Sequence, residues 1–64
     1  MTKTSGTFTD LESSTQAYWA VRPFPEVVTL FISLESSSDV EVSLDVKTAR
    51  EIATALLVAL SDVE

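Results

Sequence analysis

Four carboxylates, Glu35, Asp39, Glu41 and Asp45, are the one group in this chain whose type and spacing could carry chemistry, and no positive residue stands between Arg22 and Lys47 to neutralise them. Asp39, Glu41 and Asp45, with Ser43 between the last two, would share one face of a regular strand at steps of about 6.8 Å. Such a row could supply an acid and base pair, or oxygen ligands for a hard cation. Hard-cation loops, however, wrap their ligands around the ion through tight turns and usually Gly, which this segment lacks. The expectation is therefore a solvated acidic strand face that ends in a helix cap.

Other chemistry is largely removed by what the sequence omits. It has no His, no Cys and no Asn, which takes away imidazole bases and ligands, thiolates and N-glycosylation. The single Gly6 cannot build a glycine-rich phosphate loop. No catalytic residue, cofactor or metal site is expected, and the chain reads as non-enzymatic. An enzyme working through carboxylates alone is the remaining catalytic alternative.

The elements that would hold these residues follow from periodicity. Residues 1–16 are rich in Ser and Thr and carry only Phe8 and Leu11 as large apolar groups, so they are expected as a flexible arm. Thr9-Asp10-Leu11-Glu12 fits a capping box for at most a brief helix. A strand is expected over 17–22, ending where Pro23 and Pro25 remove backbone donors. Val27 to Leu34 alternates clearly, with Val28, Leu30, Ile32 and Leu34 on the core face and Val27, Thr29, Phe31 and Ser33 on the other. A polar loop, Glu35 to Asp39, then leads into a third strand over 40–44.

Asp45 is placed to cap a helix over Val46 to Ser61, which contains good helix formers and no Gly or Pro. Its apolar stripe through Ile52, Leu56 and Leu60 should dock on the sheet. The predicted fold is thus α+β, a three-stranded antiparallel meander followed by one C-terminal helix packed on one sheet face, in a single domain over residues 17–64.

The segment Val42 to Leu57, in which a strand runs into a capped helix of the Ala-Arg-Glu-Leu-Ala type at Ala49-Arg50-Glu51-Ile52-Ala53, resembles the C-terminal end of short uncharacterised actinobacterial and actinophage proteins. It departs from them at Val46, where proline is frequent. The resemblance implies a small strand-plus-helix domain and carries no functional residue with it.

Ten acidic residues against four basic ones give a formal charge of −6, and the scattered Lys3, Arg22, Lys47 and Arg50 offer no footprint for phosphates. Direct nucleic-acid binding is not expected. The most apolar stretch, Ile52 to Leu60, is far shorter than the roughly 20 residues of a spanning helix, and Met1 to Gly6 leads into polar residues. The expected location is the cytoplasm, without membrane contact.

With 64 residues, 45% of them hydrophobic and none a cysteine, a core alone is only marginally sufficient and self-association becomes the expected supplement. One helix cannot cover both sheet faces, so Val27 and Phe31, with Tyr18, are the expected interface of a homo-oligomer, most simply a dimer. The function expected is a self-associating accessory module, phage-encoded by its resemblance, that binds a further protein. The alternative is an acidic inhibitor that imitates nucleic-acid phosphates and blocks a DNA-binding protein.

Overall fold

The computed structural model describes residues 3–35 and 39–64. It is an α+β fold: strands β1 (Ser5–Asp10), β2 (Thr15–Phe24), β3 (Val27–Leu34) and β4 (Asp39–Asp45) form one antiparallel sheet in the order β1-β2-β3-β4, followed by helix α1 (Val46–Val63). The meander therefore has four strands rather than three. The polar loop expected at Glu35 to Asp39 lies, at residues 36–38, outside the described residues.

The added strand comes from the segment expected as an unstructured arm. Thr7, Phe8 and Thr9 are β-prone residues, and β1 pairs with β2 from Ser5↔Ala20 to Asp10↔Thr15. What closes that hairpin is Asp10, whose Oδ1 accepts from the Glu12 amide at 3.2 Å and whose Oδ2 accepts from the Ser13 hydroxyl at 2.7 Å. Its backbone carbonyl accepts from the Ser14 amide at 2.7 Å, with Ser14 at a φ of 61°. The expected capping box at Thr9 to Glu12 gives way to a turn whose acceptors come from Asp10, because no apolar repeat follows to sustain a helix. Gly6 lies opposite Trp19, where a Cβ would come within 3.2 Å of the indole Nε1. The missing side chain lets the indole lie against the strand.

β2 also runs further than expected, through Pro23 to Phe24. The last backbone link from the β1 side is the Val21 amide donating to the Thr4 carbonyl at 2.8 Å. Beyond it β2 pairs only with β3, so a proline there takes no bond from the sheet. The turn is Pro25-Glu26, between the pair Phe24↔Val27, and Glu26 has a φ of 63°. Proline followed by a residue of positive φ is the pattern of a type II turn.

The register sorts the sheet into two faces. One carries Trp19, Val21, Val28, Leu30, Ile32 and Leu44, and α1 lies on this side against β3 and β4. The other carries Tyr18, Ala20, Phe31 and the acidic residues of β4. The helix packs only partly: none of its residues is buried, and Leu56 is 63% exposed and Leu60 50%. Among the described residues only Ala17, Ala20 and Thr29 are buried, none of them large. Periodicity identifies the apolar side of a helix but not how closely it approaches a sheet, so the expected docking through Ile52, Leu56 and Leu60 is incomplete in the monomer.

Because a side chain in the left-handed region is disfavoured by about 1–2 kcal/mol, Glu26→Gly should raise the melting temperature by a few degrees, while Glu26→Val should lower it. Thermal melts of the two variants against wild type check the turn directly. Unchanged or reversed melting temperatures would mean that the turn is built differently.

Candidate interaction surface

An apolar concavity opens as a wedge between the sheet and α1. Asp45 starts it: as the last residue of β4 it is extended (φ −73°, ψ 167°), and its Oδ1 accepts from the Thr48 amide at 2.8 Å. The Thr48 side chain and then its backbone amide hold the Asp45 carboxyl below its ordinary value. From this cap the helix rises over Val28 and Leu44, and the space left under it is an apolar cleft of about 450 Å³ that reaches Val21, Leu30, Ile52 and Leu56. Arg50 stands at its rim and is the one charged lining residue. Apolar surface continues outward along the helix to Leu57, Leu60 and Val63, and across the sheet to Val42 and Val40, the last 54% exposed.

The residues expected at an interface lie on the opposite face. Tyr18 and Phe31 are in edge contact, with ring centroids 6.1 Å apart and planes at 64°. Val27 shares their face but pairs with Phe24 and Asp45 at the far end of the hairpin, with buried Thr29 lying between it and Phe31 along β3. The three residues thus form an aromatic pair and a separate aliphatic spot. Phe24, an aromatic residue suited to an interface but outside the expected set, lies exposed beside Val27, because β2 continues through the prolines around it.

The acidic residues divide similarly. Asp39, Glu41 and Asp45 form the expected row along β4, opposite Ser33, Phe31 and Val27 respectively. The Ser33 hydroxyl donates to Asp39 Oδ1 at 2.6 Å. Glu35 lies outside the row, past the end of β3, its amide donating to the Gln16 carbonyl at 3.3 Å. Among the described residues no three carboxylates converge on one point, since strand spacing holds the row's members apart. Other carboxylates lie in the turns, at Asp10, Glu12 and Glu26, and on the helix at Glu51 and Asp62. The Ser13 hydroxyl, followed by the Glu12 amide, likewise lowers the pKa of Asp10.

Among the described residues no helix is long and apolar enough to cross a membrane. Comparison with protein-family models, with curated proteins and with solved structures gives no match to this chain.

The cap yields a pH dependence of known sign. A carboxyl whose folded pKa is depressed stabilises fully above the ordinary Asp value, and that contribution is lost as the pH falls through the lower folded value. Helix content followed by circular dichroism should therefore fall on acidification below the ordinary Asp range. Asp45→Asn caps without titrating, so it should keep helix content at neutral pH and flatten this acid limb. An acid limb that is the same in both proteins would place the titrating group elsewhere.

Proposed function

We propose that this chain is a non-enzymatic interaction module, acting in the cytoplasm as a homodimer and binding a further protein through the surface that dimerisation leaves free. The observation that carries the reading is exposed area. A compact monomer of 7.0 kDa exposes about 4,000 Å², whereas this chain exposes 5278 Å². The excess, about 1,200 Å², exceeds the roughly 800 Å² that each partner contributes to a standard interface. The radius of gyration, 13.0 Å, is likewise larger than the roughly 11 Å of a compact chain of this length.

That the buried residues among those described are two alanines and a threonine supports the same reading, because small buried groups supply little of the burial that folding needs. Imitation of nucleic acid would require carboxylates in rows on one surface. Only Asp39, Glu41 and Asp45 make such a row, while the others are divided among turns and helix, and this favours the interaction module. The resemblance of residues 42–57 to actinobacterial and actinophage proteins adds a phage-encoded accessory protein as the biological setting.

Sedimentation equilibrium tests the proposal. The expected mass is twice 7.0 kDa at micromolar concentration, with dissociation on dilution coupled to loss of helix. A chain that stays monomeric and fully folded at high micromolar concentration would refute it.

A further inference from the structure

We propose that the cleft between α1 and the sheet is filled by the C-terminal half of α1 from a second copy, the two helices running antiparallel about a two-fold axis near Leu56. This rests on the self-association proposed above and names its surface, which is the helix side of the sheet and not the Tyr18–Phe31 side.

Three features of α1 lead to that arrangement. Its apolar seam, Ala49, Ala53, Leu56, Leu60 and Val63, advances by steps of four, three, four and three residues, the spacing with which one helix packs along another. The sizes along it are graded. Ala49 and Ala53 line the cleft at the N-terminal half, whereas the exposed Leu60 and Val63 (81% exposed) occupy the C-terminal half. An antiparallel pair centred on Leu56 sets Val63 of one copy against Ala49 of the other and Leu60 against Ala53, so large groups enter the space that small ones leave.

Charge provides the third feature. The first turn of α1 holds no acidic residue and the last turn no basic one. Instead Lys47 and Arg50 lie near the positive end of the helix dipole, while Asp62 and Glu64 lie at the negative end, each on the side that a lone helix disfavours. Antiparallel pairing about Leu56 brings Arg50 of one copy beside Glu64 of the other, on the same flank of the seam. A parallel pair would oppose like charges. In a chain of net charge −6 this is the pairing that turns a local repulsion into an attraction.

Exchange of charge separates the dimer from the isolated helix. Arg50→Glu and Glu64→Arg each improve the match to the dipole, so neither should weaken the monomeric helix. Each should nevertheless raise the dimer dissociation constant by about threefold to fivefold, and the double variant should return it to within about twofold of wild type. Leu60→Asp should raise it by at least about tenfold, with Phe31→Glu leaving it largely unchanged. Sedimentation equilibrium of the full chain gives each value. Losses that add in the double variant, or a wild-type dimer that Phe31→Glu dissolves and Leu60→Asp leaves intact, would overturn the cleft as the seat while self-association stood. A monomeric wild type would overturn both.

Discussion

The direct junction between β4 and α1 governs the rest of this structure. Asp45 is at once the last residue of the strand and the cap of the helix, so no linker exists to let α1 translate across the sheet before it starts. A helix launched from an edge strand reaches its immediate neighbours, and α1 lies against β4 and β3. Four strands, by contrast, present an apolar face that extends to Trp19 on β2 and Phe8 on β1. The mismatch between a wide face and a helix held at one side leaves the wedge open and α1 without a buried residue.

The same junction explains why some of this architecture was legible in sequence and some was not. β3 and β4 alternate, and α1 has an uninterrupted apolar stripe behind a capping residue, so their limits follow from side-chain types. β1 has no such signature: it offers a Thr-Phe-Thr run, and Thr9 to Glu12 after it fits a capping box although Asp10 builds a turn there. Pro23 reads as a break because pairing on both sides is assumed, whereas β2 has one neighbour at that point. Burial depth was the least legible quantity. Periodicity places Leu56 and Leu60 on the sheet side of the helix, but the angle at which the helix leaves Asp45 decides whether they reach it.

The candidate surface was read with similar unevenness. The alternation of β2 and β3 was enough to bring Tyr18 and Phe31 to one face, and their rings do meet. One helix covers only one face of the sheet, and even that face is only partly covered, since no residue of α1 is buried. Ala20 lies on the face away from the helix and is 2% exposed, whereas Val40 on the helix side is more than half exposed. Cover there comes from neighbouring side chains such as the Tyr18–Phe31 pair, not from a second layer. The apolar area still open is therefore greater beside the helix than behind it.

The acidic row on β4 has a physical consequence that does not depend on catalysis or metal. β4 is an edge strand, and an edge offers unpaired backbone groups to any second copy. Two β4 edges pairing antiparallel along their length would set Asp39 of each chain opposite Asp45 of the other, with Glu41 close by, and like charges directly opposed across strands repel. The apolar residues of β4, Val40 and Val42, point to the helix side instead. The strand thus repels a copy that approaches along its edge and leaves apolar area on the face beside α1. A β4-to-β4 pair would, like the wedge, be a two-fold contact that closes after two, so it is the charge along β4, and not the risk of open-ended growth, that favours the wedge.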